Sequence, residues 1–206
     1  MSERFIPVSE IKLNTISQRD IDDTDADKLC MFEVECFIGW SYANGILKKK
    51  LAPPTLADLN KWADEAIKKG GLAKRDETNS KDGYVLNHEI NFQIAGGPKG
   101  FKKQYEYFKD VGHHKAMNLI LWGACIELRD EGKHSLLAHG VFIENGVTYF
   151  NVSDPWPLTD DKRFNCSTLF TERNVAKKGE APRWVKSRSI ECFAWYYREG
   201  SNPKWV

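Results

Sequence analysis

The dipeptide Asn145-Gly146 stands between two apolar-rich runs, Ala138 to Glu144 and Val147 to Val152, and leaves the chain little local choice. A two-residue turn needs positive φ at its central residues, which asparagine and glycine tolerate best, so the segment is expected to form an antiparallel β-hairpin. Ile120 to Leu128 is apolar and β-compatible, and Gly132-Lys133 reads as a turn. Trp184 to Ser187 and Ile190 to Tyr197 read as further strands. The second half, from about residue 116 to 200, is therefore expected to be antiparallel sheet.

The first half, from about residue 20 to 110, carries a helical period instead. Thr24 is placed to cap a segment bearing Leu29 and Phe32, and a second segment begins near Gly39. There Trp40, Ala43, Ile46 and Leu47 recur three or four apart, which gives one apolar face. Three lysines after it read as a solvated helix end. Pro53-Pro54 stops one helix, and Thr55 with Asp58 starts another, whose stripe of Leu56, Leu59, Ala63, Ala66 and Ile67 ends at Gly70-Gly71. Residues 72 to 83 read as a polar loop, Gly96 to Gly100 as a turn, and Lys102 to Asp110 as a short helix. Helices first and antiparallel strands afterwards is an α+β order, in one domain over residues 1 to 206, since no Gly/Ser- or Pro-rich linker interrupts it.

Composition narrows the function classes. A hydrophobic content of 41% supports a real core, and a net charge of +1 gives no electrostatic reason to expect nucleic acid. No run of about 18 apolar residues is present to span a membrane. Met1 to Pro7 lacks the apolar stretch of a signal peptide, so the expected location is the cytoplasm, or outside the cell by a route that needs no cleavable signal. The five cysteines, Cys30, Cys36, Cys125, Cys166 and Cys192, form no CxxC pair, which argues against a zinc ribbon or a disulfide scaffold. No cofactor or metal is expected.

Chemistry concentrates in Ala138 to Pro157. His139 opens one hairpin strand and Asp154 follows the other, so a regular hairpin turning at Asn145-Gly146 sets them side by side. A carboxylate beside a histidine fixes its tautomer and stabilises the imidazolium, as a general base for a nucleophile requires. His113-His114 lack convergent metal ligands, and His134 and His88 read as polar surface. Cys125 and Cys192 read as packing residues.

A histidine leading a strand, then a hairpin, then Asp154-Pro155-Trp156-Pro157, resembles the C-terminal half of the papain-like and C39-like cysteine peptidases. In that group the nucleophilic cysteine precedes a tryptophan at the start of an early helix. Gly39-Trp40-Ser41-Tyr42-Ala43-Asn44-Gly45-Ile46-Leu47 matches that pattern except at the cysteine. The resemblance implies a papain-like fold, with N-terminal helices packed on the sheet, and a thiol hydrolase of a peptide or other amide bond. His139 would be the base, Asp154 its orienting group, and Trp40 and Trp156 would flank the site. It also implies a peptide or protein as substrate or partner, in a bacterial effector or toxin domain.

Two departures weigh against activity. Gly39 has no side chain to attack with, whether the loss is natural or introduced to silence an enzyme. Where the group places an oxyanion-donating glutamine, this chain has Glu33 and Glu35, whose charge opposes an oxyanion. Cys36 is the candidate substitute, about 5 Å along the helix from position 39; Ser41 is a weaker one. An acyl transferase using the same site is a further option. The alternative is an inactive papain-like module that holds a peptide or a partner protein.

Overall fold

The computed structural model describes residues 29–45, 51–73, 85–121, 124–130, 134–155, 162–165, 170–175 and 183–198. The order is α1 (Cys30–Gly45), α2 (Leu56–Lys69), α3 (His88–Ile94), β1 (Phe101–Tyr107), α4 (Phe108–Val111), α5 (His114–Leu121), β2 (Ile126–Asp130), β3 (Ser135–Glu144), β4 (Val147–Ser153), β5 (Lys162–Asn165), β6 (Phe170–Val175) and β7 (Arg183–Arg198). Helices and antiparallel strands thus combine as α+β. Thr24, residues 74–84, Gly132-Lys133, Trp156 and Cys166 lie outside the described residues.

Among the described residues, seven strands run in the order β1-β7-β2-β3-β4-β5-β6, and β6 pairs again with β7. Strand β7 is long enough to serve two sets of neighbours. Its first half meets β6, and its second half lies between β1 and β2. The two strands expected at its ends are therefore one.

Helix α1 is apolar nearly all round, and every residue except Met31 is buried, the mark of a central helix rather than a surface one. It is a single helix where two were expected, and it begins at Cys30, well before Gly39. Helix α2 forms as expected. Thr55 and Asp58 make a reciprocal capping box, and Gly70 ends the helix in the left-handed conformation at φ 77°.

Helices α1 and α3 cover one face of the sheet. Phe92 stacks on Tyr196 at 4.0 Å between ring centroids, and the Tyr42 hydroxyl donates to the Tyr196 carbonyl at 2.7 Å. Residues Phe193 and Trp195 alternate with Tyr196 and point the other way. They meet Phe108 at 5.0 Å and the Lys115 ammonium at 4.6 Å.

Two segments differ from expectation. Phe101 to Tyr107 is a strand rather than a helix, with only the turn Phe108–Val111 helical. The apolar run at Ile120 divides, ending helix α5 at Leu121 before β2 begins at Ile126. Cys125 stands just ahead of that strand, fully buried. Among the described residues, no helix is long and apolar enough to cross a membrane.

Candidate functional site

The hairpin forms at Asn145-Gly146, with φ 51° and 76° at the two turn residues. From the turn, pairing runs regularly from Glu144↔Val147 to Gly140↔Asn151 and then resumes at Ala138↔Val152 and Leu137↔Ser153. His139 is the extra residue of a β-bulge. A regular ladder would have put Asp154 opposite Leu137 and diagonal to His139 on one face. The bulge moves every later pairing by one residue, which exchanges faces. Asp154 then follows the Leu137↔Ser153 pair on the side that continues toward His134.

The contacts agree with that count. His134 Nε2 lies 2.5 Å from Asp154 Oδ1, with the carboxylate only 4% exposed. His139 Nε2 instead faces the Ser153 hydroxyl at 3.2 Å, and its Nδ1 has no hydrogen-bond partner among the described residues. Burial holds the His139 ring down at a pKa of about 4, so it is neutral near pH 7. The expected His139–Asp154 pair is thus replaced by His134–Asp154, and His134 is not simple surface.

Gly39 is not a vacated nucleophile position. A Cβ at Gly39 would stand 2.1 Å from the Phe92 carbonyl oxygen and 3.0 Å from its carbonyl carbon. Both are backbone atoms of α3, so no side chain can swing away. Glycine is there because α1 and α3 approach closely. Trp40 is likewise a core residue, 2% exposed, whose indole N–H donates to the Ala52 carbonyl at 2.9 Å.

Cys36 is fully buried, and its thiol points to the Asn91 carbonyl at 3.9 Å. Burial pushes its pKa well above the usual thiol value, and the charges of Glu35 and Glu33 add to that. It is an inert core thiol. Ser41 is also turned inward, its hydroxyl donating to the Ile38 carbonyl at 2.7 Å.

Glu33 is buried on α1, and Glu35 serves the core. Glu35 receives Lys103 Nζ at 2.6 Å and Asn91 Nδ2 at 2.9 Å, and faces His88 Nδ1 at 2.6 Å. Burial alone would raise the Glu35 pKa, but Lys103 and His88 hold it below its ordinary value. Lys103, 1% exposed, also reaches Glu127 at 2.5 Å, and Glu127 accepts the Ser135 hydroxyl at 2.5 Å. A continuous ionic chain therefore ties α1 to β1, β2 and the start of β3. His88, expected at the surface, belongs to it.

A further thiol, Cys30, stands at a helix start. Cys30 is the first residue of α1, at the positive end of the helix dipole, and is 7% exposed. It lies within electrostatic reach of Arg129. Burial presses the Arg129 pKa down, but Glu127, Tyr105, Cys192 and Cys30 together hold it above its ordinary value. Arg129 pairs with Ser135 across β2 and β3, and Ser135 follows His134. Through Arg129, Cys30 is linked to the start of β3, the strand that His134 immediately precedes. The one sequence signal for His134 was its place just ahead of the strand that carries His139.

Among the described residues, no group of three His, Cys, Asp or Glu is placed to hold a metal ion. Comparison of the chain with protein-family models, with curated proteins and with solved structures returns no match.

Proposed function

We propose that this chain is a papain-like thiol hydrolase of a peptide or other amide bond, with Cys30 as nucleophile, His134 as base and Asp154 as the orienting carboxylate. The observation that carries the reading is the close His134–Asp154 pair, to which the reading assigns Cys30, the cysteine that opens α1, as the thiol. Asp154 accepts the Nε2 proton of His134, which leaves Nδ1 with the lone pair that accepts the thiol proton. Cys30 sulfur attacks the amide carbonyl and forms a tetrahedral oxyanion. Free N–H groups of the first turn of α1 suit that charge. Collapse expels the amine, which takes the proton from His134 and leaves an acyl group on sulfur. Water, deprotonated by His134, then releases the acid and restores the thiol.

Part of the earlier objection to activity loses its force under this assignment, while Glu33 stands in the same first turn of α1 as Cys30. On this reading Gly39 is a close-packing residue, and the Glu35 charge is answered by Lys103 inside the core. The effector or toxin role and the location of the chain remain part of the same proposal, resting on the resemblance alone.

Digestion of a mixed peptide library, read by mass spectrometry, tests the assignment. Cleavage is expected in the wild-type chain, lost in Cys30→Ala and His134→Ala, and kept in Cys36→Ala. Cleavage that survives Cys30→Ala would contradict it. Peptides retained intact by wild type and Cys30→Ala alike would favour the non-catalytic module.

A further inference from the structure

The bulge at His139 creates a second side-chain couple. A regular ladder from the Asn145-Gly146 turn would set His139 opposite Val152 and Ser153 opposite Ala138, on different faces of the sheet. Ser153 stands opposite Leu137 instead, and its hydroxyl lies 3.2 Å from His139 Nε2. Bulges re-aim side chains in this way. A hydroxyl that close to an imidazole nitrogen makes the contact of a nucleophile with its base.

The surroundings define what such a couple can do. Ser153 is only half-buried, and the His139 ring is neutral near pH 7, so it holds a lone pair for a proton. When the Ser153 hydroxyl donates to Nε2, the ring proton sits on Nδ1, which has no hydrogen-bond partner among the described residues. His134 has the Asp154 carboxylate behind it; His139 has no such acceptor there. An imidazolium formed at His139 is therefore poorly stabilised, and the ring is a weak base. A weak base suffices only against a strongly electrophilic carbonyl, which an activated ester offers and an amide does not.

We propose that Ser153 and His139 form a second nucleophile–base pair, one that accepts acyl groups from activated esters whose leaving group is a phenol or a thiol. Ser153 Oγ attacks the carbonyl carbon, and its proton passes to His139 Nε2. The adduct collapses with cleavage of the bond to the phenol or thiol, which departs with that proton. The acyl group stays on Ser153 as an ester. Water, giving a proton to His139, then releases it as the acid, and the proton returns to Ser153 Oγ. The pair stands apart from the Cys30–His134–Asp154 reading, and either can fail alone.

The test exposes the full chain briefly to para-nitrophenyl acetate, or to para-nitroacetanilide, the amide with the same acyl group, and maps acetylated residues by mass spectrometry. Acetyl-Ser153 is expected to form from the ester about a hundredfold faster than adducts at the other serines, the lower end of what a positioned base supplies. The anilide should give none. The adduct should vanish in Ser153→Ala and slow to the rate of the other serines in His139→Gln, whose fold is checked by circular dichroism. Acetylation of wild-type Ser153 no faster than that of other serines overturns the proposal, whether or not the variant folds. Full-rate acetylation of Ser153 in folded His139→Gln, or equal acetylation by the anilide, overturns it as well. Because adducts are assigned residue by residue, labelling of Cys30 by the same ester does not enter the result.

Discussion

The His134 ring and the Asp154 carboxylate meet at 2.5 Å although twenty residues and a β-turn separate them, because one bulge residue, His139, shifts the ladder between them. The pair is set by the pleat as much as by the residues. Without the shift Asp154 would fall on the other face, and His134 would stand without its carboxylate.

Gly39→Cys is expected to damage the fold and restore nothing. The new Cβ has no room beside the Phe92 backbone, so α1 and α3 must part. Overpacking of this kind costs about 1–3 kcal/mol or more. Denaturant unfolding should show the loss, and peptide cleavage should not rise. A stable variant with higher activity would contradict the close helix contact.

His139 should make the chain sensitive to mild acid. Its folded pKa is about 4, against 6.5 for the ordinary imidazole. Between those values the unfolded chain binds a proton that the native ring refuses, so stability is fully present above about pH 6.5 and falls as pH drops toward 4. Unfolding free energies at pH 7 and pH 5 should differ less in His139→Gln than in wild type. An equal difference in both would place the acid sensitivity elsewhere.

Lys103→Met should be among the most harmful core changes. It leaves Glu35 and Glu127 as buried carboxylates with no cation between them, a break worth about 3–5 kcal/mol. The variant should recover part of that loss as pH falls, because protonating either carboxylate relieves the repulsion. Glu35, held low in wild type, gives the opposite trend there: its contribution is present above the ordinary carboxylate range and is lost on acidification. Thermal unfolding of both proteins across pH 4 to 7 checks the crossing trends.

The features legible in the sequence are those fixed by neighbours along the chain. Thr55, Asp58 and Gly70 announce α2, and Asn145-Gly146 announces the hairpin, because caps and tight turns are local chemistry. Strand β1 was hidden because Lys103, a polar letter at a buried position, breaks the apolar alternation, and its partners Glu35 and Glu127 are distant in sequence. The bulge was hidden for a related reason: nothing near His139 marks an extra residue, and counting back from the turn assumes a regular ladder. That one-residue error assigned Asp154 to His139 instead of His134. The peptidase pattern of a cysteine before a tryptophan falls at Gly39-Trp40, while Cys30, which opens the helix, has Met31 beside it.

The most direct measurement is the rate of iodoacetamide labelling at each cysteine at pH 6, mapped by mass spectrometry, in wild type, His134→Ala and His139→Ala. Ordinary thiols, with a pKa of roughly 8.5, react slowly there. Fast labelling confined to Cys30, abolished in His134→Ala and retained in His139→Ala, is the result the account predicts. Fast labelling of Cys36, or labelling of Cys30 that depends on His139 rather than His134, would contradict it.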